Sequence, residues 1–130
     1  MKKLFFITII LLLQSFPSFG EWVEVNKDKR TTSYIEEDSL MKRGDLIYVN
    51  ILVNHITPHY GRLSSFHRTV INCKESTFKS IKSIYYKRSM GRGEIIQETT
   101  FPSIYEFIDL YKYPNSYPTL KIIQKRKCKE

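Results

Sequence analysis

DLIYVNILVN, residues 45–54, carries the pattern that decides the fold. Ile47, Val49, Ile51 and Val53 fall at every second position. Successive side chains of an extended chain point to opposite sides, so these four share one face of a strand. Tyr48 and Asn50 alternate with Leu46 and Leu52 on the other face, which predicts partial cover there as well.

Outward from this strand, most of the chain reads as β. Residues 21–25 and 31–35 are short β-prone pieces around a polar turn at 26–30, and residues 36–40 read as one helical turn or a tight loop, stopped near Gly44. Pro58 and Gly61 mark residues 55–61 as a loop. Two further strands are expected at 64–74 and 77–89. The turn at 74–76 between them is so short that they must be antiparallel neighbours. Met90-Gly91-Arg92-Gly93 supplies the next turn and 94–99 a returning strand, while the pattern of 103–111 fits either helix or strand. Residues 117–128 read as a helix with Ser116 as N-cap and Pro118 in the first turn. Leu120 and Ile123 share a face there, and Lys125 to Lys127 sit where a helix C-terminus favours cations. The expected class is α+β: an antiparallel sheet of about five to six strands with a C-terminal helix packed on one face.

The N-terminus reads differently. Lys2 and Lys3 precede an uncharged run over residues 4–13, which as a helix would rise only about 15 Å, half of a hydrocarbon core. Ser18 and Gly20 then supply the small residues of a signal-peptidase site, so residues 1–20 read as a signal peptide cut before Glu21. The alternative is an uncleaved anchor. Residues 21–130 form one domain, without a second apolar run of spanning length. Its only cysteines are Cys73 and Cys128, and two cysteines in an exported chain pair most simply with each other. That bond would pin the C-terminal helix to the strand carrying Cys73.

The net charge of +8 falls to +6 once Lys2 and Lys3 are removed. The cations are scattered, which fits a solvated surface as well as attraction to anionic partners. No nucleic-acid motif accompanies them, and export argues against that partner. His55, His59 and His67 lack cysteine or carboxylate companions at ligand spacing, and Pro58 argues against the first two sharing a helix, so they read as surface histidines and no metal or cofactor is expected. His67, Arg68 and Glu98 would be the acid–base set of a small secreted nuclease, but any such chain contains these residue types and no catalytic signature supports them. The expectation is a protein that is not an enzyme.

All 9 tyrosines lie outside the first twenty residues. Tyr85 and Tyr86 are adjacent on a strand, so one should face outward, beside Lys87, Arg88 and Arg92. These five residues are the candidate patch for a protein partner. The alternative is that the tyrosines fill β positions and cover a small core.

The ordered features resemble the surface-adhesin protein E family of Gram-negative bacteria. They are Trp22, Tyr34-Ile35-Glu36, Ser39-Leu40, the strand to Asn54, Ser64-Ser65 through Cys73, Tyr85-Tyr86, Met90-Gly91-x-Gly93, Pro114-x-Ser116 and Cys128. The resemblance implies a compact antiparallel sheet with helical cover and a disulfide between the two cysteines. It also implies binding of host proteins such as vitronectin, laminin or plasminogen. The export signal leaves the location as periplasm, cell surface or outside the cell. The leading expectation is therefore a non-enzymatic binding protein of the envelope or surface. A periplasmic inhibitor or immunity-type protein that blocks an enzyme is the second, and a homodimer stays open.

Overall fold

The computed structural model describes residues 21–129; the expected signal peptide and its cleavage site lie outside the described residues. Strands β1 (Trp22–Lys27), β2 (Thr31–Arg43), β3 (Leu46–His59), β4 (Arg62–Asn72), β5 (Thr77–Tyr86) and β6 (Ile95–Thr100) form one antiparallel sheet in sequence order. The two-residue β7 (Ile108–Asp109) pairs with Thr77 and Phe78 at the start of β5, and the helix α1 (Pro118–Lys127) closes the fold. The topology is a meander because every connection between the first six strands is short, and short connections join only antiparallel neighbours. Asn72 helps define one of them: its Oδ1 accepts from the N–H groups of Lys74 and Glu75, both at 3.1 Å.

The alternating pattern of β3 has the expected result. Val49 and Ile51 are buried with Ile35, Ile71, Phe78, Leu110 and Ile123 in one core between sheet and helix. Ile123 is the fully buried residue of α1, and such burial contributes about 1.5–3 kcal/mol. Cys128 follows the helix and is bonded to Cys73, just past β4, with Cα atoms 5.6 Å apart. The second face of β3 is covered in part, as its pattern implied: Leu52 is buried, and Phe66 meets Trp22 edge to face at 6.4 Å.

Four local expectations need correction. Residues 36–40 are neither a helical turn nor a loop but part of β2, where the register with β3 slips between Glu36 and Met41. Ser39 makes this bulge tolerable. Its hydroxyl donates to the Glu36 carbonyl at 2.5 Å and accepts from the Asn50 N–H at 2.9 Å, taking the place of a backbone group in the ladder. Second, residues 55–59 belong to β3, which runs through Pro58 to His59 and leaves only Tyr60-Gly61 for the turn, both at positive φ. Third, the helix is not capped by Ser116. Tyr117 occupies the cap position in the left-handed conformation without a side-chain cap, and its ring packs against Phe78 at 4.7 Å, so tertiary packing overrides capping chemistry. Fourth, residues 103–111 are mostly turn: β7 provides two residues of pairing, and Leu110, completely buried, anchors the segment.

Candidate functional site

β5 ends at Tyr86 and the chain turns through 87–94 before β6. Within the turn Ser89–Gly91 form a single 3-10 turn, with Met90 and Gly91 at φ 58° and 67°. A non-glycine residue at positive φ needs support, and β3 and β4 give it. Asn54 Oδ1 accepts from the Met90 N–H at 2.7 Å. Ser64, wholly buried, accepts from the Gly91 N–H at 2.9 Å and donates to the Arg88 carbonyl at 2.5 Å. The turn's own backbone adds bonds from Lys87 N–H to Glu94 and from Arg88 N–H to Arg92, at 2.9 and 3.1 Å. At Gly91 a Cβ would already touch Leu52 and Tyr86, at 3.5 and 3.7 Å, so the turn lies flat on the sheet.

Two of the five patch residues are not free contact groups. Tyr85 is partly buried, with the Arg62 guanidinium 4.0 Å over its ring and the His67 ring edge-on at 6.0 Å. Tyr86 is partly buried beneath the turn. Burial, with Glu98 nearby, pushes its phenol pKa up, and Lys82 opposes the shift. The expectation of one outward tyrosine is therefore replaced by two half-covered rings on opposite faces, Tyr86 against the turn at Gly91 and Tyr85 against Arg62 and His67. Lys87, Arg88 and Arg92 are exposed. A Cβ at Gly93 would lie 2.8 Å from Arg88 Cγ, so the stem of Arg88 runs across that glycine.

The meander adds cations to this end. Strand pairing puts the β1–β2, β3–β4 and β5–β6 turns at the same end of the sheet, through Thr31 opposite His55, His59 opposite Arg62 and Ser64 opposite Tyr86. Exposed Lys29 and Arg30 thereby join Lys87, Arg88 and Arg92, although they are more than fifty residues apart in sequence. Asp28 is occupied locally: its carboxylate accepts from the Arg30 and Thr31 N–H groups at 2.7 and 2.8 Å, and these bonds hold its pKa below the usual value.

The acid–base set does not assemble. His67 lies on the helix-covered side, with Nδ1 2.8 Å from Ser83 Oγ and Nε2 2.9 Å from Ser65 Oγ. It is not a surface histidine. Burial, with His55 nearby, lowers its pKa to about 4. Arg68, the next residue, points to the opposite face and donates to the Ser39 carbonyl and Asn50 Oδ1 at 3.1 and 3.0 Å. Glu98 pairs with Lys82 at 2.7 Å. Beneath α1, a hollow of about 290 Å³ is lined by Ile51, Val53, His67, Phe78, Tyr117 and Leu120, mostly apolar. Among the described residues no group of three or more His, Cys, Asp or Glu side chains is placed to hold a metal ion, and no helix is long and apolar enough to cross a membrane.

The role of Ser64 under the turn is what sequence reading missed; a buried serine in a strand gives no signal of its partners until the register is known. Ser64→Ala is expected to cost about 1–2 kcal/mol, because the Gly91 N–H loses its acceptor and the Arg88 carbonyl its donor in a part-buried site. Urea unfolding checks this, and unchanged stability would mean that the turn holds without β4.

Three solved structures of Haemophilus influenzae protein E share the fold. Crystal form II is 17% identical with a TM-score of 0.53, covering 83% of this chain and 87% of that one. A second structure is 17% identical at 0.52, covering 83% of each chain. The protein from a non-typeable strain is 16% identical at 0.53, covering 84% of this chain and 80% of its own. No curated protein sequence matches the chain. The family model for surface-adhesin protein E matches residues 22–116, from the first residue of β1 to the segment before α1, and the chain belongs to that family.

Proposed function

We propose that this protein is an exported, non-enzymatic binding protein of the bacterial envelope or surface, an adhesin that engages a host extracellular-matrix or serum protein. Residues 1–20 act as its signal peptide, and residues 21–130 are the exported domain. The contact surface is the end of the sheet where Lys87, Arg88 and Arg92 stand on the turn that Tyr86 underlies, with Tyr85 on the opposite face of the same strand end. The observation that carries this reading is the locked turn: Asn54 and Ser64 hold its backbone, so three exposed cations are presented on a segment with little backbone freedom left to lose on binding. Clustered cations speed encounter with an acidic surface and fix orientation. Half-buried tyrosines beside them supply rigid apolar area at the rim.

The test is direct binding of the purified protein to a panel of immobilised matrix and serum proteins, beside a periplasmic extract. Saturable binding to at least one host protein, weakened by added salt, is the expected result. Capture of a bacterial enzyme alone, with loss of that enzyme's activity, would replace the adhesin reading with an inhibitor.

A further inference from the structure

The two cationic turns at this end of the sheet are fixed to neighbouring points of one strand. The β1–β2 turn is held where the Arg30 carbonyl accepts from the Ile56 N–H at 3.0 Å. The β5–β6 turn folds back across β4 and is held where Asn54 accepts from the Met90 N–H. Asn54 and Ile56 are two residues apart on β3, about 7 Å along an extended chain. Pairing with β2 is regular there, through Thr32 opposite Asn54 and Thr31 opposite His55. The turn of Lys29 and Arg30 therefore lies next to that of Lys87, Arg88 and Arg92, and the five exposed cations form one strip.

The strip keeps its charge for a ligand. Among the described residues none of the five cations is in an ion pair; the ion pairs lie elsewhere, at Lys82–Glu98 and Lys127–Glu37. The two turns carry two carboxylates, Asp28 and Glu94, and that of Asp28 is bonded to the backbone of its own turn. Arg92 Nε donates to the Ser89 carbonyl at 3.3 Å, which orients the guanidinium and leaves its terminal N–H groups for a ligand.

Between the two turns the β3–β4 hairpin ends in Tyr60. This residue is 82% exposed, and its φ of 51° is one that glycine or asparagine adopts at less cost. The ring is held in place. His59 meets it edge-on at 4.5 Å and stacks in turn on His55 at 5.5 Å, where β3 bends and its pairing with β4 is irregular. A large ring fixed in water at a strained position, beside five cations, suits a ligand with both an apolar face and several negative groups.

We infer that this strip binds a linear sulfated polysaccharide, the class of glycan chain carried by matrix proteins. The inference rests on the reading of this end of the sheet as the contact surface, and it names the chemistry of what is contacted. Sulfate oxygens accept paired hydrogen bonds from a guanidinium, as phosphate and carboxylate oxygens do. The C–H face of a sugar ring lies against the exposed Tyr60 ring. A flexible chain with repeated charges follows cations from separate turns, which a single acidic side chain cannot do. Nucleic acid also offers phosphates, but single-strand binders stack successive bases on several open aromatic rings. At this end Tyr85 and Tyr86 are half-covered, and Tyr60 is the open tyrosine.

The test is calorimetric titration of the exported protein with a heparin hexasaccharide, beside unsulfated hyaluronan and a single-stranded DNA oligomer. Heparin should bind saturably with a Kd below about 10 μM, and hyaluronan at least about tenfold more weakly. Log affinity for heparin should fall linearly with log salt, with a slope of about −3, as counterions leave the polyanion. Lys29→Ala/Arg30→Ala leaves the β5–β6 turn intact and should still weaken binding at least about tenfold, flattening that slope by about 1. Tyr60→Ala should weaken binding about three- to tenfold with the slope unchanged, because stacking carries no charge. No saturable heparin binding, tighter binding of the DNA, or full affinity in either variant overturns the inference. Where such a result accompanies retained binding to a host protein stripped of its glycan chains, the adhesin reading stands and this inference alone falls.

Discussion

Replacing both cysteines with alanine is expected to destabilise the protein by about 4 kcal/mol, an upper-end figure from the chain-entropy model for a ring of this size. Cys73 and Cys128 are 55 residues apart in sequence, so the bond closes a ring of 56 residues and removes much of the freedom of the unfolded chain. In the folded state it ties the end of α1 to the end of β4. The helix needs that tie. It is ten residues long, has no side-chain cap, and sends a single fully buried residue, Ile123, into the core. Isolated helices of this length are marginal in water, so α1 depends on docking. The sheet does not depend on it in the same way, since its ladders are continuous from β1 to β6. Urea unfolding of Cys73→Ala/Cys128→Ala should therefore show a large loss of midpoint, and hydrogen exchange should rise first in residues 118–127. Equal protection of helix and central strands in the variant would show that the bond does not serve this purpose.

The second large effect is acid sensitivity centred on His67. Its folded pKa of about 4 lies below the ordinary value of 6.5, because the ring is buried and His55 lies nearby. The unfolded chain then binds more protons than the folded one between these two values, so stability rises with pH across that window. The contribution is fully present above pH 6.5, is lost as the pH falls, and reaches its limit near pH 4. At about 1.4 kcal/mol per unit, and allowing for partial exposure, the loss is about 2–3 kcal/mol. His55 has the same sign of shift and adds to it. In His67→Gln, which cannot titrate, the difference in unfolding free energy between pH 7 and pH 4 should shrink by that amount. An NMR titration of wild type showing His67 protonating near 6.5 would contradict the account.

The parts of the fold legible in the sequence were those set by periodicity and by short connections. The apolar alternation of Ile47, Val49, Ile51 and Val53 marks a covered strand whatever surrounds it. The tight turn at Asn72 to Ser76 permits only a hairpin. Where the reading went astray, one side chain had replaced a backbone partner or tertiary packing had overridden a local signal. Ser39 substitutes for a ladder group, so 36–40 stays in β2 despite its helix-like residues. Tyr117 packs on Phe78 in a conformation that no capping rule predicts for tyrosine. The candidate site was half visible. Lys87, Arg88 and Arg92 stand out as a cationic turn beside two tyrosines, but Ser64 and Asn54, which hold that turn, are 27 and 36 residues away from Gly91 and Met90. Their part follows from the register of three strands. The same holds for Lys29 and Arg30, brought to this end by the meander, and for His55 and His59, brought together by an irregularity that no spacing rule encodes.

The claim that this end of the sheet binds the partner is tested most directly by the affinity of a Lys87→Ala/Arg88→Ala/Arg92→Ala variant, measured against salt concentration on the host protein that wild type binds. Exposed substitutions of this kind change stability by only about ±0.5 kcal/mol each, so the variant should fold as wild type does. Wild-type binding should weaken as salt rises, because exposed charges are screened beyond about 10 Å at 0.1 M. The variant should bind at least about tenfold more weakly at low salt and should lose most of the salt dependence. Full affinity with an unchanged salt dependence would contradict the account.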